Sequence, residues 1–378
     1  MRLCLAPVVL AVSFTAMEMS AFADAAAEKA ARRFATGGDV TSFHYTDAAG
    51  VGWTAFLHTF TNTAEAAEFR NKSGKTLPVR LLAVGGGGAG MDGLKNYDAT
   101  AANRMAGGGG GGGGGVTETN ALLSVGDVWT IRVGAGGMLP SSHAQTAARV
   151  AAGASCVSNG VVEVVSVPGG GAGGSRKLRP TVGAAGGGGA GGSKEQAAGT
   201  NGCYTSSTFL AEGIANGGSG GNGEHSYVSG SYGGGGGGAG ANGSGRNGGE
   251  GLVSNITGED VVYGSGGGGG GHSRVAADKS GYSAGGVGGT NAGIGGTVVK
   301  WDISADGSTT NITLKAAEPP VPNTGAGGAG GISYSGGANV AEYSGTTVHY
   351  GTDGADGIVI IRYEADLPHP KGFMVIFR

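Results

Sequence analysis

The feature that most constrains the fold of this chain is a run of nine consecutive glycines at residues 107–115. Because glycine has no side chain to bury, this run cannot supply a helix or strand of an ordinary hydrophobic core. Two interpretations stay open: a flexible tether, since glycine-rich chains behave as random coils, or a polyglycine helix of the polyproline II type, whose outward backbone groups need neighbouring helices as partners. Similar, shorter runs occupy residues 85–88, 186–189, 233–238 and 266–271.

The segments between the glycine runs favour the packed interpretation. Residues 77–84, 116–123 and 128–133 have the composition of β-strands, but they are short. Five flexible tethers would leave islands of one or two strands, which are marginally stable in water. We therefore expect the glycine runs to be held together as a bundle.

Composition excludes several classes of protein. Glycine supplies 88 of the 378 residues, yet it follows no strict three-residue period, which excludes a collagen. The net charge is −3 and no long basic block occurs, which argues against a nucleic-acid partner.

The first residues have the pattern of a secretory signal peptide. Arg2 precedes an apolar run at residues 3–17, and Ala21-Phe22-Ala23 supplies a small-x-small cleavage site. An apolar run of about 15 residues is short for a membrane span. We expect cleavage of residues 1–23 after Ala23, export to the cell surface or medium, and no membrane span in the mature chain.

Two cysteines remain in the predicted mature chain, Cys156 and Cys203. An exported protein permits a disulfide between them, and two separate thiols are the alternative.

The chain divides into an N-terminal segment at 24–40, expected to be a short helix or disordered, a glycine-rich β domain at 41–364, and a C-terminal tail or edge strand at 365–378. The segment 79–84 is apolar on both faces, which predicts a buried central strand. The segment 128–133 places Trp129, Ile131 and Val133 on one face. Further strands are predicted at 42–45, 53–60, 161–167, 297–304, 309–314 and 357–363.

Three motifs, in their order along the chain, carry a resemblance to a known family. The first is Leu81-Leu82-Ala83-Val84 running into four glycines, which the long glycine run follows. The second is Leu123-Ser124-Val125-Gly126-Asp127-Val128-Trp129-Thr130-Ile131-Arg132-Val133-Gly134-Ala135-Gly136-Gly137, and the third is the closing Asp356-Gly357-Ile358-Val359-Ile360-Ile361-Arg362-Tyr363. Over residues 77–364 the chain resembles the glycine-rich domain of bacterial and phage surface proteins. That domain is similar to the distal tail-fibre adhesins of T-even-like phages and to the extracellular glycine-rich region of anaplastic lymphoma kinase and leukocyte tyrosine kinase.

The resemblance implies a mainly β fold, with a jelly-roll-like β-sandwich base, a packed bundle of polyglycine II helices and connecting loops that make the binding surface. The predicted signal peptide departs from a phage fibre tip, and it favours an exported protein instead.

Catalytic and metal-binding motifs give no support for an enzyme. The sequence at 217–221 matches GxSxG but lacks the apolar strand that a nucleophile elbow requires, and neither HExxH nor CxxC occurs. Asp353 and Asp356 fit either a weak cation site or a tight turn, and His44 and His58 fit the faces of strands. We expect a non-enzymatic protein without cofactor or metal.

The segments between glycine runs are expected to form loops, at residues 91–104, 138–152, 176–182, 194–214, 224–232, 272–284 and 332–350. Tyrosine is concentrated in or beside these loops, where its rigid ring and hydroxyl suit ligand contacts. Capping the ends of glycine helices is the alternative role. We expect an adhesin-like protein that binds a cell-surface glycan or protein receptor; a passive structural, envelope or matrix protein with the bundle as rigid spacer is the alternative, and the sequence indicates no oligomeric state. The candidate ligand-binding residues are Tyr97, Tyr204, Tyr227, Tyr232, Tyr282, Tyr334 and Tyr343.

Overall fold

The computed structural model describes residues 29–93, 107–140, 149–175, 178, 180–181, 183–187, 232–274, 284–303, 310–335 and 350–365. This part of the chain is mainly β, as the sequence predicted, and its helix is confined to one turn at residues 29–31. It contains no helix with the length and apolar character that crossing a membrane requires. The strands are β1 (Ala35–Thr36), β2 (Asp39–Thr46), β3 (Gly52–Phe60), β4 (Ala67–Asn71), β5 (Leu77–Val84), β6 (Val116–Leu123), β7 (Val128–Arg132), β8 (Ser155–Ser158), β9 (Glu163–Val167), β10 (Leu252–Ser254), β11 (Val261–Tyr263), β12 (His272–Arg274), β13 (Thr297–Ile303), β14 (Thr310–Lys315), β15 (Ser333–Ser335) and β16 (Ile358–Ala365).

Two antiparallel sheets of five strands contain the largest strands. The first sheet has the order β1-β4-β7-β8-β9 and the second has the order β2-β3-β16-β5-β6. The closing strand β16 lies in the middle of the second sheet and pairs with β3 on one side and with β5 on the other. The chain therefore returns to its starting sheet only after all the glycine runs have been traversed.

The main hydrophobic core is built by side chains of both sheets. Phe56 and Ile361 of the second sheet pack in one cluster with Phe69, Trp129 and Ile131 of the first. Trp129 and Ile131 share a buried face of β7, as the alternating pattern predicted.

A second hydrophobic cluster covers the other face of the second sheet. Leu82 and Ile360 lie there against Ile256 and Tyr263, which belong to the hairpin formed by β10 and β11. Since β5 contributes to both clusters, the prediction of a buried central strand is confirmed.

The segment before β2 is tied into the main core by polar side chains. His58 is fully buried and its Nδ1 donates to the carbonyl oxygen of Gly37 at 2.5 Å. Tyr363 Oη donates to the carbonyl oxygen of Ala31 at 3.1 Å. Burial lowers the pKa of the His58 imidazole, although the bond to Gly37 works in the opposite direction. His44 Nδ1 forms a hydrogen bond of 2.9 Å with Oγ1 of Thr54 on the adjacent strand, so both histidines contribute hydrogen bonds within the second sheet and its neighbouring segment.

The glycine segments belong to neither helix nor strand, and they form hydrogen bonds with one another. Run 107–115 shows the pattern most completely. Its N–H groups repeat with a period of three: residues 108, 111 and 114 donate to segment 325–331, residues 109, 112 and 115 to segment 168–174, and residues 110 and 113 to segment 233–239. Its carbonyl groups at 109, 112 and 115 accept from segment 85–91, and those at 108 and 111 accept from segment 264–271. Run 107–115 is thus surrounded by at least five other segments.

At most positions of run 107–115 the neighbouring segments leave no room for a side chain. A Cβ built on Gly111 would lie 2.6 Å from the carbonyl carbon of Gly88 and 2.8 Å from that of Ala89. Equivalent overlaps with backbone occur at Gly110 and Gly114. The sequence requires glycine here because another backbone occupies the position of the side chain.

One predicted strand begins later than the sequence indicated. The segment 161–167 was expected to be extended throughout, but β9 starts at Glu163 and Val161 is 89% exposed. The carboxamide oxygen of Asn159 accepts from the N–H groups of Val161 and Val162 at 3.0 and 2.8 Å, and Gly160 has a φ of +85°. This Asx-type turn overrides the β propensity of the two valines.

Candidate binding surface

The glycine segments have one end at the two large sheets and another end remote from them. At the first end Gly85 follows β5 directly, Gly115 precedes β6 and Gly357 precedes β16. Hydrogen bonds join this layer, from Gly85 N to Gly115 O at 2.9 Å and from Gly357 N to Gly134 O at 2.8 Å. We call this end the proximal end and the opposite one the distal end.

The distal end gathers backbone from many parts of the chain. Gly331 donates to Met91 O at 2.8 Å, Gly108 donates to Gly331 O at 3.0 Å, and Gly270 donates to Gly108 O at 2.8 Å. Gly233 in turn donates to Gly270 O at 2.8 Å. Residues separated by more than 200 positions in the sequence are therefore held side by side.

Most of the described residues that flank the predicted loops lie at this distal end. The C-terminal flank of the loop 176–182 is an exception, because Ala184 N donates to the carbonyl oxygen of Gly169 at 2.8 Å, near the proximal end. The loops were predicted at 91–104, 138–152, 176–182, 194–214, 224–232, 272–284 and 332–350. The flanking residues present at the distal end are 91–93, 107–108, 138–140, 149–150, 174–175, 232–233, 271–274, 284–285, 331–335 and 350–352.

Two pairs of strands belong to the same region. β12 and β15 pair in parallel, with His272 opposite Ser333. β13 and β14 form an antiparallel hairpin that begins immediately after the glycine segment 293–296. The parallel pair joins two chain segments about 60 residues apart, which shows that the flanks of different loops are bonded to one another.

The acidic side chains at the distal end satisfy backbone N–H groups. Asp92 is buried, and its Oδ1 accepts from Gly351 N at 2.8 Å. Asp353 Oδ1 accepts from Leu139 N at 2.7 Å. Deeper in the bundle, Asp356 Oδ1 accepts from Gly136 N at 2.7 Å. The structure therefore uses Asp353 and Asp356 to join segments, and in the described part of the chain no group of three or more potential metal ligands occurs.

Arg149 is a half-buried cation of this region. Its guanidinium donates to the carbonyl oxygen of Gly173, at the end of a glycine segment. Burial lowers the pKa of this guanidinium, but arginine starts so high that it stays charged. The Arg149 side chain thus satisfies the carbonyl group of Gly173, near the distal end of the glycine segment 168–174.

Tyr232 is the predicted ligand-binding residue whose side chain the structure places at the distal end. It forms an isolated bridge with Gly271, and its ring lies 5.7 Å from the guanidinium carbon of Arg246. A Cβ on Gly245 would lie 3.3 Å from the Tyr232 hydroxyl, so the ring packs directly over the backbone. Arg246 also donates through Nη1 to the carbonyl oxygen of Ala284 at 3.3 Å.

The other predicted residues are placed in part. Tyr334 lies on β15, opposite Ser273 of β12. Cys156 lies on β8, half-buried, and forms no disulfide within the described residues. Tyr97, Tyr204, Tyr227, Tyr282, Tyr343, Cys203 and Ala23 lie outside the described residues.

The sequence interpretation missed Arg246. The sequence could have indicated this residue, since Arg246 is the single basic residue of the glycine-rich stretch 232–251. The proximity of Arg246 to Tyr232 depends on a return of the chain that composition does not reveal. No protein-family model, no curated protein and no solved structure matches this chain.

Proposed function

We propose that this chain is a non-enzymatic, exported recognition protein of the adhesin type, which binds a cell-surface glycan at its distal end. In this proposal it belongs with the glycine-rich domains that it resembles in sequence. Its glycine segments are polyglycine II helices, packed as a bundle on a β-sandwich base.

The period of three supports the polyglycine II assignment. A left-handed helix of this type has three residues per turn and no internal hydrogen bonds, so successive N–H groups point to three different neighbours. Run 107–115 donates to three different segments in rotation. A β-strand would instead alternate between two sides, with a period of two.

The shared core supports the sandwich assignment. Two sheets packed face to face bury the inward residues of both in one cluster. Phe56 and Ile361 from one sheet and Trp129 and Ile131 from the other have this relation. The base would then hold the proximal end while the distal end faces outward.

The observation that carries the functional proposal is the gathering of the loop flanks at the distal end. Binding residues are commonly placed on loops that a rigid scaffold positions. The interlocked backbone bonds of the glycine segments supply such a scaffold, and the flanks of distant loops lie within hydrogen-bonding distance of each other. A single ligand at this end would therefore contact several loops at once.

Replacement of loops at the two ends tests the proposal. Residues 24–378 are first screened against whole cells and a glycan array. Residues 141–148 are then replaced by a Gly/Ser linker of equal length, with a matched control in which the proximal turn residues Val161 and Val162 become serine. Loss of binding in the first variant alone, with both variants folded, is the expected result.

The opposite outcome favours the rigid-spacer alternative. If the parent binds no cell type and no glycan, the recognition proposal is wrong and the bundle serves as a spacer. Equal loss of binding in both variants would place the ligand away from the distal end.

A further inference from the structure

We propose that Arg246 and Tyr232 form a subsite for the carboxylate of an acidic sugar, which makes the preferred ligand a uronic-acid-containing glycan. This inference rests on the proposed function, because it specifies the ligand class of the same distal end.

The two side chains are held in fixed positions. The Arg246 guanidinium is anchored by a 3.3 Å bond to Ala284 O and by the Tyr232 ring at 5.7 Å. The Arg246 backbone is fixed as well, since its carbonyl oxygen accepts from Gly269 N at 2.8 Å. Both side chains remain partly exposed. A preorganised pair of this kind loses little side-chain entropy when a ligand binds.

The charge of Arg246 has no carboxylate partner among the described residues. Asp92 and Asp353 accept bonds from backbone N–H groups of Gly351 and Leu139. Glu250 accepts from Thr290 N at 3.0 Å. These three acids are thus engaged with the backbone, whereas the Arg246 guanidinium contacts only neutral groups among the residues that the structure describes. An approaching anion therefore meets attraction here.

The chemistry of the pair matches a uronic acid. A guanidinium carries five N–H donors in a planar fork, of which the bond to Ala284 O uses one, and the rest can bind a carboxylate through two parallel bonds. An aromatic ring beside it offers an apolar surface with a hydroxyl at its edge, which suits the C–H face and hydroxyl groups of a pyranose. Neutral sugars would use the ring but leave the cation unpaired.

The test compares an acidic glycan with its neutral counterpart on the full mature chain. Oligogalacturonate and an α-1,4-linked oligogalactan of equal length share the same backbone and differ at C6, where the first carries a carboxylate and the second a hydroxymethyl group. The variants are Arg246→Gln, Arg246→Lys and Tyr232→Ala, and Arg70→Gln is the matched control because Arg70 is an exposed arginine of the first sheet. Binding is measured by calorimetry at low and high salt, and folding of each variant is checked by its melting temperature.

The parent should bind oligogalacturonate at least about tenfold more tightly than oligogalactan, and high salt should reduce the difference. Arg246→Gln should lose roughly 10- to 100-fold in affinity for the acidic glycan alone. Arg246→Lys should recover part of this loss, because lysine keeps the charge but not the fork. Arg70→Gln should bind as the parent does.

Three results would overturn the inference. Equal affinity of the parent for the two glycans, or an Arg246→Gln variant that folds and binds the acidic glycan normally, would remove the subsite and leave the proposed function standing. Absence of any glycan binding by the parent would remove both.

Discussion

Replacing Gly111 by alanine should destabilise the whole protein, because one added methyl group cannot be accommodated. Gly111 lies at the middle of run 107–115. Its Cβ would lie 2.6 Å from the carbonyl carbon of Gly88, so the segment 85–91 must move. That segment is bound to the run along its length.

The size of the effect follows from the hydrogen bonds that this movement breaks. Gly88 donates to Gly112 O at 2.8 Å, Met91 donates to Gly109 O at 2.9 Å, and Gly85 donates to Gly115 O at 2.9 Å. A buried backbone group left without a partner costs about 1–3 kcal/mol. Loss of the three bonds therefore costs roughly 3–9 kcal/mol, which approaches the total stability of about 5–15 kcal/mol that is usual for a folded protein.

The assay is urea and thermal unfolding of Gly111→Ala, followed by circular dichroism, beside the control Gly160→Ala. Gly160 has a φ of +85° and its Cβ would meet nothing within 4 Å, so the control should lose only about 1–2 kcal/mol for the left-handed conformation. A Gly111→Ala variant as stable as the parent, or more stable, would refute the packing argument. A flexible tether predicts that result, because alanine lowers the entropy of an unfolded chain.

Four further predictions concern other parts of the molecule. Burial lowers the pKa of His58 below its ordinary 6.5, so on acidification the unfolded chain takes up this proton before the folded chain does. The contribution of His58 to the free energy of unfolding should therefore be complete above about pH 6.5 and should decrease as the pH falls below that value. Urea unfolding at pH 7.5 and 5.5 should show this decrease in the parent, and a His58→Gln variant should lack it. Glu118→Gln weakens the contact with Arg80, so it should lower the free energy of unfolding by about 1 kcal/mol, and no change in the urea midpoint would count against it. Peptide mapping without reductant should recover Cys156 joined to Cys203, and recovery of both as alkylated thiols would disprove the bridge. N-terminal sequencing of secreted protein should start immediately after Ala23; an intact leader on protein in the medium would contradict this.

The sequence predicted seven of the ten strands of the two sheets, because the side chains of those strands are large and patterned, but it did not predict β1, β4 and β8. Trp129 and Ile131 alternate with polar residues, and Val359 and Ile361 belong to an apolar run that only a central strand can bury. Local turn chemistry was the weaker point, since Asn159 ended the expected extension through Val161 and Val162. The two valines favour a strand, but the side-chain oxygen of Asn159 accepts their N–H groups and holds this part of the backbone in a turn.

The neighbours of each glycine run could not be predicted, for a physical reason. Glycine runs carry no side chains, so nothing in run 107–115 distinguishes segment 325–331 from segment 168–174 as a partner. Their order is imposed by the sheets at the proximal end and by side chains such as Asp353 and Asp356, which accept backbone N–H groups of other segments. From the sequence, these two aspartates were expected to belong to a turn or a cation site. Their actual partners could not be predicted, because each N–H group that they accept lies more than 200 residues away in the chain.

The candidate site was predicted as a set of tyrosines, and the structure places one of them, Tyr232, against an arginine. Tyr232 was chosen for its residue type and its place beside a glycine run. Its pairing with Arg246 arises because the chain returns past Gly245, whose small size lets the ring approach. The residue type of Tyr232 and its place beside a glycine run therefore indicated the region of the candidate site. The contact with Arg246 could be seen only in the folded structure.

Hydrogen exchange of the glycine amides tests the central claim most directly, because the account depends on every N–H of run 107–115 from residue 108 onward having a partner. The mature protein is labelled with ¹⁵N-glycine, the amides are assigned, and exchange is followed by NMR at pH 7. We expect residues 108–115 to exchange at least about a thousandfold more slowly than unstructured glycine, together with the strands β5 and β16. Exchange of these glycines at the unstructured rate, while β5 and β16 stay protected, would show that the run is a tether and that no scaffold fixes the distal end.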